Sequence, residues 1–332
     1  MNLCFKHLIA IVIVLSSITA PAQVMRKRTT MLMGSRFDFT IVAADSLTAE
    51  MRIDEAIAEI VRIENLISDW KPDSQVSKVN QNAGIAAVTV DREVFELTQR
   101  AIAISVLTSG AFDISFAAME KIWRFDGTMT TMPTTAAIKN SVAKVGYRNI
   151  QLDTTQSTIF LKLPGMKIGF GSIGKGYAAD KARELMESKG VKAGIVNASG
   201  DMAAWGTQPD GSAWNIGITD PFNTRELLAI LPLHQQAVTT SGSYEQFVEI
   251  DGKRYSHIIN PVTGYPARGL VSVTVIGPSA EMANGFSTSL MVMGKKAGLR
   301  LINRYPEYSC LMVTAKGRVI KSRHFKRNTI TF

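Results

Sequence analysis

Lys175 lies in the run Gly169-Phe-Gly171-Ser-Ile-Gly174-Lys175-Gly176, a glycine-rich turn between a β-like segment and a helical pattern. Such a turn presents backbone N–H groups at a helix N-terminus, and the lysine adds a cation, so the chemistry on offer is the binding of a phosphate or pyrophosphate. Two nucleotide patterns overlap here and both fail. The GxGxxG spacing is met at Gly169, Gly171 and Gly174, but the β-like run ending near Asn197 lacks the acid that would hold a ribose. The GxxxxGK spacing is also met, yet Gly176 stands where a Walker motif needs Ser or Thr to hold magnesium. What the two patterns share survives: an anion site at a helix start, set against the plainer reading of a glycine-rich cap beside a solvated lysine.

Other segments place polar residues in tight turns in the same way. They are Leu32-Met33-Gly34-Ser35, Ser68-Asp-Trp70-Lys-Pro-Asp-Ser74, Ser109-Gly-Ala111-Phe112-Asp113, Asn197-Ala-Ser-Gly200-Asp201, Thr240-Ser-Gly242-Ser243, His257-Ile-Ile-Asn260-Pro261-Val-Thr-Gly264 and Ala283-Asn284-Gly-Phe-Ser-Thr288. In this order, with the Lys175 turn between the third and fourth, the chain resembles the FAD:protein FMN transferase (ApbE) family from about Met31 to Leu301. Each motif is weak alone; the ordered set is specific.

The resemblance implies a magnesium-dependent flavin transferase that cleaves FAD, attaches FMN to a Thr or Ser of a target protein and releases AMP. It also implies an α+β fold, a single compact ApbE-like (T-fold-like) unit of mixed β-sheets packed with helices. Carried over by position, Met33, Trp70, Ala111, Phe112, Asp113, Gly171, Tyr177 and Ile258 match FAD-contacting residues, and Lys175 joins them as the cation of the glycine turn. Gly174, through its carbonyl, and the side chains of Asn284 and Thr288 match the Mg2+ site. Residues four apart share a helix face, so Asn284 and Thr288 are expected side by side. His257 is the residue expected to take the proton from the target hydroxyl, since imidazole changes charge near neutral pH. A lone histidine beside two isoleucines is ordinarily structural; His234 and His324 have no such context and receive no role.

The chain departs from the family pattern at four positions. Asn284 replaces a usual aspartate, Gly169 an acid, and Ser172 and Ser199 each a glycine. Asn284 costs the metal site one negative charge. Two other readings of the same pocket stay open: a periplasmic FAD pyrophosphatase, with water as acceptor, and a non-catalytic flavin-binding protein.

The elements that must position these residues follow from periodicity. Apolar residues at helical spacing predict helices over Thr48 to Leu66, Asp91 to Leu107, Lys175 to Ser188, Met282 to Met293 and Lys296 to Asn303. Short β-like runs are expected at Met31 to Val42, Ile150 to Leu152, Thr158 to Leu163, Met166 to Phe170, Gly194 to Asn197, Trp214 to Ile218, Leu227 to Leu233, Gln246 to Ile250, Arg254 to Ile259 and Val271 to Ile276. A Thr-rich loop over Gly127 to Thr135 and a final hairpin around Ala315-Lys-Gly317 complete the reading. There is no internal repeat or low-complexity linker, which favours one continuous unit over residues 23–332.

The first 22 residues read as a cleavable signal peptide: Lys6, an apolar run from Leu8 to Leu15, then small residues to Ala22. The apolar run is too short to span a bilayer, which takes about 20 residues. Export implies a periplasmic protein, with peripheral contact at the outer face of the inner membrane open to it. It leaves little ATP for the glycine turn and limits acceptors to exported or membrane electron-transfer proteins. Loss of Lys6 with the leader takes the formal charge from +9 to +8, spread along the chain without a nucleic-acid motif, so nucleic acid is not an expected partner. Cys310 would remain the one cysteine, in an apolar context that suits a buried thiol.

Overall fold

The computed structural model describes residues 23–244 and 246–325, so the predicted leader lies outside the described residues. The expected opening strand, Met31 to Val42, is the second arm of a hairpin: β1 (Val24–Leu32) precedes it and β2 (Ser35–Ala43) fills most of it. Its two-residue loop, Met33 and Gly34, has φ of 50° and 67°, the backbone hand that suits the twist of antiparallel strands. This is the tight turn expected at Leu32-Met33-Gly34-Ser35, and it splits the run that periodicity alone reads as one strand. Helix α1 (Ser46–Ile67) follows, capped by Asp45, whose carboxylate accepts from the Thr48 N–H at 2.8 Å; it buries Ile53, Ala56, Ile60, Ile63 and Ile67 along one stripe.

Then come α2 (Gln75–Gln81), β3 (Val88–Thr89), α3 (Arg92–Leu107), a 3-10 turn at Ile114–Ala118, and α4 (Thr135–Ser141). Helix α4 begins where the Thr-rich loop was expected to end, with Thr134 as its cap. Next are β4 (Ile150–Asp153), β5 (Thr158–Leu161), α5 (Gly174–Ser188), β6 (Ala193–Ala198), β7 (Asp201–Trp205), β8 (Trp214–Thr219), β9 (Leu227–Leu233) and β10 (Gln236–Gly242). The chain ends through β11 (Phe247–Ile250), β12 (Lys253–Ser256), β13 (Leu270–Gly277), α6 (Ala280–Ile302), β14 (Ser309–Thr314) and β15 (Val319–Lys321). The two helices expected near the C-terminus are one kinked element, broken at Gly294, where φ is 71° and ψ 177°. The expected strand at Met166 to Phe170 is extended but unpaired with any strand: the Asn80 carboxamide accepts from the Ile168 N–H at 2.7 Å and donates to its carbonyl at 2.9 Å. One side chain thus does the work of a neighbouring strand.

Eight strands form one sheet in the order β1-β2-β6-β7-β10-β13-β14-β15, antiparallel at every pairing. Alternate residues serve opposite faces. Phe37, Phe39, Ile41, Val196 and Ala203 pack with α1, α3 and α5, and Val273, Val275 and Met312 pack with α6. Val42, Ala204, Val238 and Val313 face the β8–β9 hairpin through Trp214, Ile216 and Leu231. The sheet is therefore covered on both sides, a single α+β unit of the kind the sequence implies. Cys310 is fully buried and its thiol is pushed up to about 12 by burial. No helix among the described residues is long and apolar enough to cross a membrane.

Candidate active site

A cleft of about 880 Å³ opens where the β1–β2 turn, the loop after α1, the start of the 3-10 turn, the glycine turn and α6 converge on β7, β8 and β10. The glycine turn forms one end of it. Helix α5 starts with Ile173 as its N-cap, and no side chain caps it; the Gly174 N–H donates to the Phe170 carbonyl at 2.6 Å, which leaves those of Lys175 and Gly176 to face an anion. Gly171, Ser172 and Lys175 line the cleft beside them. Gly176 has a different purpose: a Cβ there would fall 2.5 Å from the Ala280 carbonyl oxygen, so the glycine lets α6 cross close to α5. The Walker reading fails on packing grounds as well as sequence.

Lys175 and Tyr177 are two residues apart on α5 and so face opposite ways. Lys175 Nζ lies 3.8 Å from Asp201 in the cleft. Tyr177, expected to touch FAD, is instead in a separate groove with Glu59, Arg62, Glu93 and Arg100, where its hydroxyl donates to Glu93 at 2.6 Å. Gly174, the first residue of α5, is not among the residues lining the cleft; it lies against Ile67, Phe170 and Met33, next to the lining residue Lys175. Met33 packs on the glycine turn, and Ser35 is the lining residue of its hairpin.

The wall at Ala111, Phe112 and Asp113 lines the cleft, with both apolar side chains buried. Asp113 is less a free acceptor than expected. Its carboxylate takes the Ser115 N–H (2.8 Å), the Ser115 hydroxyl (2.6 Å) and the Tyr147 N–H (2.7 Å), which fixes the wall. Burial raises its pKa against the pull of these bonds. Trp70 projects into solvent at the rim, 79% exposed, with Lys121 Nζ 4.9 Å above its ring. Asp69 beside it explains Gly169: a Cβ at 169 would sit 3.0 Å from the Asp69 carboxylate, so the acid absent from 169 has a neighbour from the α1 end in the same space.

On the opposite rim, His257 is half-buried. Its Nδ1 is 3.0 Å from the Gln246 carbonyl, a contact that requires N–H at Nδ1 and leaves Nε2 as the basic nitrogen. Phe125 meets the ring edge-on at 6.4 Å, and Ile258 lines the cleft next to it.

The deepest part is polar. Asn284 and Thr288 are adjacent on α6, as their spacing predicts, and both line the cleft. The Thr288 hydroxyl is 3.3 Å from Ser241 Oγ, which is 2.8 Å from Ser287 Oγ. The Asn284 carboxamide donates to Asp201 Oδ1 at 3.0 Å, while its own oxygen is buried with no partner. Burial pushes the Asp201 carboxyl up to about 7, and Lys175 offsets only part of that. Asp201 and Ser241 lay within quoted turns of the sequence without being singled out. The signal was a carboxylate directly after the Ser199-Gly200 turn, which opens β7, an inner strand between β6 and β10, at the cleft.

The ApbE family model matches residues 33–312. The chain belongs to the ApbE family. A FAD:protein FMN transferase of Klebsiella pneumoniae (strain 342) is 34% identical over 276 residues, covering 81% of this chain and 85% of that protein. One of Salmonella typhimurium is 32% identical over 289 residues, 85% and 82% of the two chains. Among solved structures, the ApbE protein of Thermotoga maritima superposes with a TM-score of 0.82 at 31% identity, covering 91% and 98%. The apo flavinyl transferase ApbE of Pseudomonas stutzeri gives 0.80 at 30% identity, covering 91% and 96%. The ApbE fold expected from the ordered motifs is therefore the fold observed.

Proposed function

We propose that this chain is a magnesium-dependent FAD:protein FMN transferase, with the cleft holding FAD across its pyrophosphate. The observation that carries this is the convergence of an uncapped helix N-terminus and Lys175 with the unpartnered Asn284 oxygen and the Thr288 hydroxyl in one cleft. The first pair suits the phosphates. The second suits a hard cation, which takes oxygen donors, and an orphaned buried oxygen is the kind of atom a cation would satisfy. Asn284 and Thr288 are the residues that would hold Mg2+, which when bound offsets negative charge on the pyrophosphate oxygens.

The protein's own groups account for the rest. The rim at Trp70 offers a flat aromatic face to a ring of FAD, and the Ala111–Asp113 wall confines it. His257 Nε2 takes the proton from the acceptor hydroxyl as that oxygen bonds to the phosphorus of the FMN half and the bond to AMP breaks. His257 stands at the rim, where a hydroxyl on another protein can reach it. The predicted leader supports a periplasmic enzyme whose acceptors are exported or membrane electron-transfer proteins.

The test is to incubate the mature chain with FAD, MgCl2 and exported redox proteins, following AMP and in-gel flavin fluorescence. AMP with a fluorescent acceptor band is the expected result. Free FMN and AMP in equal yield with or without acceptor would replace the transferase by a pyrophosphatase, and no AMP under any divalent cation would sink both. Cell fractionation that finds the mature chain in the cytoplasm alone would overturn the periplasmic assignment.

A further inference from the structure

The donor pair on α6 lacks charge. Sites for hard divalent cations tighten as carboxylates are added to the ligand set, and both Asn284 and Thr288 are neutral. Three carboxylates among the described residues line the cleft: Asp69, Asp113 and Asp201. Asp113 is tied to Ser115 and the Tyr147 N–H, and Asp69 lies against Gly169 at the other side of the turn. Asp201 alone of the three touches the α6 pair, through its 3.0 Å bond from the Asn284 carboxamide.

Asp201 is also held in place independently of that bond. It is the first residue of β7, immediately after Ser199 and Gly200, whose φ of 56° and 98° make the tight β6–β7 loop; the Asn197 side chain closes this loop by accepting from the Gly200 N–H at 2.8 Å. The carboxylate is 4% exposed and Lys175, at 3.8 Å, is beyond a close ion pair. A buried charge with so loose a partner is costly unless something further satisfies it. The neighbouring Asn284 oxygen, 6% exposed as a residue and without a partner, has the same need. One cation between them answers both.

We propose that Asp201 supplies the negative charge of the cation site, standing in from β7 for the charge that Asn284 does not carry, with Lys175 as its counter-ion when no divalent ion is bound. The proposal rests on Asn284 and Thr288 being cation ligands. Once Asp201 is taken up by the cation, Lys175 is free to pair with the pyrophosphate. The exchange makes cation and FAD binding mutually supportive.

The test measures metal binding without turnover. Mn2+ replaces Mg2+, and free Mn2+ is followed by electron paramagnetic resonance on the FAD-free mature chain. Asp201→Asn is expected to weaken Mn2+ by at least about tenfold, and adding Asn284→Asp to it to return affinity to within about threefold of the parent. Equal Mn2+ affinity of Asp201→Asn and the parent would overturn the proposal while leaving the α6 site standing. The same holds if the parent binds no Mn2+ but Asn284→Asp alone does. If neither binds, the reading of Asn284 and Thr288 as ligands fails and the proposal falls with it. Circular dichroism checks folding. Should Asp201→Asn fail to fold, Lys175→Ala carries the test: removing the competing ammonium is expected to tighten Mn2+, and unchanged or weaker binding would overturn the proposal.

Discussion

Helix α5 separates two acidic groups, half-buried Glu93 and buried Asp201, that differ in how they are satisfied. On the far side, Glu93 accepts from Tyr177 at 2.6 Å and pairs with Arg62 at 2.6 Å; burial pushes its pKa up, but Arg62 and Tyr177 outweigh it and hold the carboxyl below its ordinary value. On the cleft side, Asp201 has a lysine at 3.8 Å and one carboxamide, and burial wins, up to about 7. Both sides show the same residue types. The difference is completeness: the Glu93 groove closes its own hydrogen bonds and stabilises the fold, whereas the cleft leaves donors and acceptors open, which is a cost recovered only when a ligand arrives.

The comparison predicts that cleft-side changes strike turnover and far-side changes strike stability. The largest effect is expected from His257→Ala, a fall in FMN transfer of about 10²–10⁴-fold. Its melting temperature should stay near that of the parent, since the ring is half-buried and makes one bond to Gln246; a matching loss of stability would assign His257 a structural role instead. Gly176→Ser tests the seam between the two sides. The added Cβ meets the Ala280 carbonyl at 2.5 Å, so denaturant unfolding should show a loss of about 1–3 kcal/mol and no gained ATP binding, although the Walker pattern is then complete. Tyr177→Phe is the smallest: about 1–2 kcal/mol of stability from the Glu93 bond, with KM for FAD unchanged. A raised KM would return Tyr177 to the flavin site.

A pH series sharpens the same contrast. Because the folded-state pKa of Glu93 is depressed from 4.5, its contribution is present above that pH and is lost as pH falls through the lower folded value. Glu93→Gln should therefore flatten part of the acid limb of the stability curve, read by thermal melts between about pH 3 and 6. An unchanged acid limb would mean that Glu93 is no better satisfied when folded than when unfolded.

Much of the site was legible because its motifs are local. The glycine turn before α5, the Asn284 and Thr288 pair and the His257 segment each depend on spacing within a few residues, and the structure brings all three to one cleft. Tyr177 was misread because a motif match carries no direction: the residue adjoins Lys175 in sequence but leaves α5 on the other side. Gly174 opens α5, one residue before the start that its periodicity suggests, because the helix begins inside the glycine turn. The Met166 to Phe170 run looked like a strand because extended apolar residues do, whether their partner is a strand or the Asn80 side chain.

The sequence by itself determined the family, through its ordered motifs, several of the longer helices and strands, and which residues could bind phosphate or take a proton, because these follow from residue chemistry and short-range spacing. Only the tertiary structure decided which of those residues share a surface. It set Asp201, Lys175 and Asn284 together from β7, α5 and α6, and it sent Tyr177 to Glu93. The physical reason is that the satisfaction of a buried polar group depends on partners distant in sequence, as in the 83-residue separation between Asp201 and Asn284.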